Sequence, residues 1–207
     1  MARITETVKK ETHDTIIDEA RKLFELKGFE KTKTKDIAKA CHIAEGTLFN
    51  YFETKDEILI AVFEHMANES LHSSDNLNLN PLEQLKISIF KPIEKLNVLP
   101  KSLLVDLLSA SLKIAKKRPK LFKKLMDIDF SYIQSLEAKL LIYCDFNQHT
   151  IDANDLAEMI YGVIATDFII YLYESTYSYA LFYQKAEKKL TSLIKPYLKE
   201  VLSNDSM

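Results

Sequence analysis

Between Gly28 and Thr54 the chain has room for two short helices joined by a turn of three residues, and little else. Gly28 closes an amphipathic segment, "DTIIDEARKLFELKG", in which Ile16, Ile17, Ala20, Leu23, Phe24 and Leu26 recur near a period of 3.6 residues. "KDIAKAC" then reads as a short helix with Ile37, Ala38 and Cys41 on its inner face. Thr34 is placed to cap it, and Asp36 in its first turn suits the helix dipole. "HIA" (42–44) is the turn, and a third helix follows from about Glu45 to Phe52. Thr54 with Glu57 forms a capping box that opens a fourth helix through "EILIAVFEHMANESLHS".

Turn-forming residues stay scarce beyond this segment. The chain has 3 glycines and 5 prolines, with long runs of Leu, Lys, Glu, Ile and Ala, which predicts an all-α protein. With 207 residues, 47% of them hydrophobic, it can bury a substantial core in one or two domains. "SSDNLNLN" (73–80) reads as a polar linker. After it, Asn80-Pro81-Leu82-Glu83 combines a cap, a first-turn proline and an acid; Pro100 and Pro119 mark two further helix starts. Pro92 predicts a kink or break inside the helix begun at Pro81. "CDFNQHTIDAND" (144–155) is a polar break before two long helices, at about 153–175 and 178–203. The total is about nine helices, with no strand pattern.

No segment reads as an apolar run of about 18 residues, so no membrane span is expected. The N-terminus "MARITETVKKETHD" lacks the apolar centre of a signal peptide, and a cytoplasmic location is expected. Cys41 and Cys144 stand far apart, as reduced cysteines of a cytosolic protein would. The net charge of -2 advertises no polyanion partner, but its distribution does. Residues 31–39 carry Lys31, Lys33, Lys35 and Lys39 against Asp36, four minus one, a local +3. "KIAKKRPKLFKK" (113–124) carries seven Lys/Arg and no acid, as a solvated helix end would.

Two short helices joined by a tight turn behind a longer helix form a helix-turn-helix, whose second helix reads the major groove. Ile43, Leu48 and Phe52 can face inward and pin that helix, leaving Thr47, Asn50 and Tyr51 outside. Thr and Asn suit base edges, and a tyrosine hydroxyl suits a phosphate. Gly46 lets the start of the helix approach a backbone closely. Lys55, in the first turn of the next helix, is placed to hold a phosphate.

Over residues 10–60 the chain resembles the N-terminal DNA-binding domain of the TetR family of transcriptional regulators. The resemblance rests on "LF" in the first helix, the "KGF" turn, "T-x-x-x-I-A", "I-x-x-G-T-L" and "Y-F" around the third helix, and Lys55 soon after. It implies DNA binding by residues 1–55, with Thr34, Lys35 and Lys55 on phosphates and Glu45, Gly46, Thr47, Asn50 and Tyr51 along the groove. Glu45 either accepts from a cytosine, or only caps the helix or stays solvated. Three positions depart from the family pattern: His42 stands in place of a turn glycine, Ala44 in place of a Ser/Thr cap, and Phe49 in place of a tyrosine whose hydroxyl reaches phosphate.

The resemblance further implies that residues 56–207 bind a small, largely apolar effector and dimerise through the last two helices. The fourth helix, about 55–73, connects the two parts. Those last helices look too apolar around their circumference for surface helices, and Gly162, Ala165 and Thr166 would allow close approach. Pocket candidates are Phe90, Leu104, Leu108, Phe130, Ile133 and Phe168, each of which ordinary core packing also explains. Asp167 lies on an apolar face and needs a partner, a tyrosine or a polar ligand. His65, Glu69 and His72 share a helix face, which a solvated surface explains as well as a metal does. No nucleophile-base pair, phosphate loop or metal-spaced cluster is visible, so no enzyme activity, cofactor or metal is expected. The reading is a repressor released from a palindromic operator by its effector. The competing reading is an all-α small-molecule-binding protein or enzyme without DNA binding.

Overall fold

The structure is a computed structural model and describes residues 6–71 and 79–199, apart from the side chains of 68–71. Nine α-helices are present among the described residues: α1 (Glu6–Lys27), α2 (Thr34–Ala40), α3 (Glu45–Phe49), α4 (Lys55–Leu71), α5 (Pro81–Leu96), α6 (Lys101–Lys117), α7 (Pro119–Tyr143), α8 (Ala153–Tyr173) and α9 (Tyr179–Ile194). The only β pairing among them is an isolated antiparallel bridge, Cys144–Leu198. Of the linker expected at 73–80, only Leu79 and Asn80 lie within the described residues.

The helix ends follow from local chemistry. Gly28 ends α1 at φ +80°, its N–H bonding the Phe24 carbonyl at 2.9 Å. His42 turns the chain between α2 and α3 at φ 55°, the left-handed conformation that its resemblance to a turn glycine required. The Thr54 hydroxyl accepts from the Glu57 N–H (3.2 Å), and the Glu57 carboxylate returns to the N–H of Glu53 (2.9 Å), closing the cap of α4. Asn80 caps α5 through the Glu83 N–H at 3.0 Å.

Four expectations change. Thr34 does not cap α2 but is its first residue; Asp36 does the capping by accepting from the Lys33 N–H at 3.3 Å. α5 is not broken at Pro92, which leaves one helical N–H missing inside a continuous helix. α9 stops at Ile194, because Pro196 brings a single 3₁₀ turn, Lys195–Tyr197; residues 200–203 of the expected helix lie outside the described residues. α8, with a mean hydropathy of 1.4, is long and apolar enough to cross a membrane by length and composition. In this fold it packs along α9 instead, burying Leu156, Ala157, Ile160, Ile164 and Tyr171.

The chain divides into two compact units, 1–70 with 95–128, and 71–94 with 129–207. In the first, Ile16, Ile17, Ala20 and Phe24 of α1 are buried, as are Ile37, Ala38, Leu48 and Phe52 of the helix-turn-helix. In the second, Leu85, Ile89 and Phe90 of α5, Leu136 and Leu140 of α7, and the inner faces of α8 and α9 make one core. α9 turns Phe182, Ala186, Leu190 and Ile194 inward and exposes Gln184, Lys185, Lys188 and Lys189. The surplus apolar surface expected on both last helices therefore lies on α8 alone, where Met159, Ile169, Ile170 and Tyr173 are exposed beside Gly162 and Thr166.

Both cysteines are free. Burial pushes the Cys144 thiol up to about 11 and raises that of half-buried Cys41, which keeps both protonated and unreactive near neutrality.

Candidate nucleic-acid interface

α3 is short because its grip comes from behind. Leu48 is fully buried and Phe52 nearly so, while Ile43 is half-buried. Beyond Phe49 the chain continues as a tight turn, Asn50 N–H to Thr47 O (3.1 Å) and Phe52 N–H to Leu48 O (3.1 Å), which seats Phe52 under the helix. Glu45, Gly46, Phe49 and Asn50 stand exposed on the opposite side, with Thr47 and Tyr51 half-buried. Tyr51 is turned partly toward a cleft of about 390 Å³, whose walls include His13, Phe52, Glu57 and His65. His13 stacks on Phe52 with ring centroids 5.1 Å apart, so α1 also holds the end of the recognition segment.

A Cβ built on Gly46 would meet nothing within 4 Å. The chain's own packing makes no demand for glycine there, which fits a demand from outside. Ala44 precedes α3 without a side-chain cap. Ala44→Ser is therefore expected to raise thermal stability, by roughly 0.5–1 kcal/mol in chemical or thermal unfolding; an unchanged midpoint would show that the turn already satisfies the α3 N–H groups.

The two helix starts are tied together. The Thr34 hydroxyl donates to the Glu45 carboxylate at 2.6 Å. One oxygen of Glu45 is thus taken by Thr34, which turns toward α3. Lys31, Lys33, Lys35 and Lys39 are all exposed around them, the local excess of positive charge expected at this face.

Lys55 departs from its expected role. Its ammonium donates to the carbonyls of Phe29 (2.8 Å), Thr32 (3.1 Å) and Glu30 (3.4 Å), and it sits 4.1 Å from the centre of the Phe29 ring. An ammonium has three protons, and three protein carbonyls take them. Lys55 therefore fastens the α1–α2 connection to the start of α4 and has no proton left for a phosphate. Thr32, which sequence reasoning passed over, closes the same connection: its buried hydroxyl shares its one proton between the carbonyls of Gly28 (2.8 Å) and Leu23 (3.2 Å).

The effector candidates are distributed over the two units. Leu104 and Leu108 belong to the first unit; Phe90, Phe130, Ile133, Asp167 and Phe168 belong to the second. Phe130 is 60% exposed and lines no core. Phe90 is buried with its ring 4.3 Å from that of Tyr183, and Ile133 is half-buried against the same core. Phe168 joins an aromatic group with Tyr171 and Phe182, each centroid 5.7 Å away. Asp167, expected to face a tyrosine or a ligand, instead accepts from the Lys189 ammonium at 2.6 Å. Its second oxygen, like the Tyr179 hydroxyl, is buried with no hydrogen-bond partner among the described residues. No group of three His, Cys, Asp or Glu side chains among the described residues is arranged to hold a metal; the side chain of Glu69 and the whole of His72 lie outside them.

Comparison with known proteins agrees with this geometry. Residues 16–62 match the family described as bacterial regulatory proteins, tetR family. The chain is 38% identical over 56 residues to YuxN of Bacillus subtilis strain 168, an uncharacterized HTH-type transcriptional regulator, covering 27% of this chain and 19% of that one. It is 28% identical over 134 residues to YvkB of the same organism, another such regulator, covering 64% of this chain and 65% of that one. The alignments thus span less than two thirds of these relatives. Among solved structures, a TetR transcriptional regulator from Rhodococcus sp. RHA1 superposes with a TM-score of 0.67 at 14% identity, over 90% of this chain and 96% of that one. The regulator FadR of Bacillus subtilis, solved with stearoyl-CoA, gives 0.60 at 21% identity, over 88% and 97%. At such identities the structures speak for the fold, and the family match speaks for the segment that carries the helix-turn-helix. Residues 16–62 are thus similar to the DNA-binding segment of the tetR family of bacterial regulatory proteins, and the chain as a whole has the fold of solved TetR regulators.

Proposed function

We propose that this chain is a homodimeric, cytoplasmic transcriptional repressor that leaves a palindromic operator when a small, largely apolar effector binds. The observation that carries the reading is the exposed edge of α3. It is pinned from behind by Leu48 and Phe52, flanked by four exposed lysines, and opened by a glycine that the chain itself does not need. Residues 1–55 form the DNA-binding part. Gly46, Thr47, Asn50 and Tyr51 lie along the groove, with Phe49 beside them lacking the hydroxyl of a phosphate contact. Thr34 and Lys35 approach the backbone, and Glu45 positions Thr34 in doing so. Residues 56–207 hold the effector and the dimer contact, with α4 as the connector.

Two observations support the second half. The exposed stripe on α8 recurs at helical spacing and is apolar, the face an isologous contact with a second copy needs. FadR, with the same fold, was solved with an acyl-CoA, which suits a core as rich in aliphatic and aromatic side chains as that of the second unit. A dimer reads two half-sites about 34 Å apart. The effector favours a conformation of the body in which that spacing is lost, and effector and operator then weaken each other reciprocally.

The test is binding of the full chain to duplex DNA from its own upstream region. Affinity is expected to fall steeply with salt, roughly in proportion to the number of phosphates contacted. No binding at low salt would overturn the reading.

A further inference from the structure

The seven cations of the 113–124 run do not share one role. Its six lysines are exposed, as residues of a solvated helix end or an attractive field would be. Arg118 is half-buried and is the single residue between α6 and α7. Its own N–H closes α6 on the Ile114 carbonyl at 2.7 Å, and Pro119 starts α7 directly after it. The side chain is therefore launched from a backbone position fixed on both sides.

Its guanidinium engages two carboxylates at once, Nη1 on Glu57 and Nη2 on Glu53. Such forked, charge-assisted contacts are directional, unlike those of an ammonium. The Glu57 side chain is only 11% exposed, and its other oxygen is already committed to the N–H of Glu53. Glu53 follows Phe52, the residue that seats the end of the recognition segment. Arg118 thus grips the short seam that joins α3 to α4, from a turn more than sixty residues further along the chain.

We propose that Arg118 is a positioning residue of the DNA-reading head: it sets the direction in which the recognition segment leaves α4, and it does so without touching DNA. The proposal rests on the DNA-binding reading above. A DNA-facing arginine would carry an uncompensated charge, whereas this one is neutralised by two acids of its own chain.

The experiment begins with the unaltered full chain selecting its preferred duplex from a random pool. A chain that selects none defeats the DNA-binding reading before any variant is made, and this proposal with it. Arg118→Gln, Arg118→Lys, the gentler Glu53→Gln and the double variant combining Arg118→Gln with Glu53→Gln are then measured on the selected duplex and on random duplex, across salt, well below the unfolding transition. Arg118→Gln is expected to lose about tenfold or more on the selected duplex, with random-duplex affinity and the salt slope unchanged. Arg118→Lys, which keeps charge but loses the fork, is expected to recover part of the loss, and Glu53→Gln to add little on top of Arg118→Gln. A salt slope lowered by about one with equal loss on both duplexes would make Arg118 a phosphate contact and overturn the proposal. So would a lowered unfolding midpoint with duplex preference intact, which marks a merely structural ion pair.

Discussion

Replacing Gly46 with alanine is expected to make the protein more stable and a poorer DNA binder at once. The stability gain follows from the backbone. Glycine in a helix loses more conformational freedom on folding than alanine, a cost of roughly 0.5–1 kcal/mol. The new methyl would meet nothing of the chain within 4 Å, so no clash offsets the gain. The binding loss follows from the same empty space. If DNA fills it, a Cβ pushes the helix start off the groove floor, with a loss of about tenfold or more, the scale of one mismatched base pair. Thermal unfolding and a duplex titration on the same sample read both effects. A variant that is more stable and binds equally well would mean that Gly46 faces solvent in the complex, and the close approach assigned to it would be withdrawn.

Lys55→Met is expected to act in the opposite sense, on the fold rather than on DNA. The substitution keeps an unbranched apolar stem but strips three hydrogen bonds and the contact over Phe29. Bonds to charged groups contribute about 1.5–3 kcal/mol each when well formed. Lys55 is half-exposed, and water can replace part of what is lost, so the expected destabilisation is roughly 2–3 kcal/mol in total. In a chain of this size that lowers the midpoint by about 5–10 °C. Measured well below that midpoint, the salt slope of DNA binding should match that of the unaltered chain. A slope smaller by about one would restore Lys55 as a phosphate contact.

What was legible in the sequence was what local chemistry decides. Gly28, the left-handed His42, the Thr54 cap and the buried Leu48 and Phe52 each follow from one residue and its near neighbours, and each stands where expected. The stop at Pro196 was equally legible, since a proline cannot donate to a helix, but the apolar period of α9 masked it. Lys55 and Arg118 were not legible. Their partners lie 26 and 61 residues away, and no pattern along one helix reveals which carbonyls or carboxylates the fold carries to them. The effector candidates were legible only as apolar positions, for a related reason. Periodicity marks an apolar face without saying which core it joins, and the fold divides those residues between two units. The same ambiguity hid the charged outer face of α9.

The bond between Thr34 and Glu45 limits how such a protein can acquire a new target. One residue stands at the start of α2 and the other near the start of α3, and a hydrogen bond of 2.6 Å ties them together. A substitution at Glu45 that altered the preferred base would also release Thr34, so that a gain in readout arrives with a loss of register. Residues in one hydrogen-bonded network are coupled rather than additive. Under the proposed reading, a change of operator would come more readily from changing these two positions together, or from Thr47 and Asn50, than from Glu45 alone.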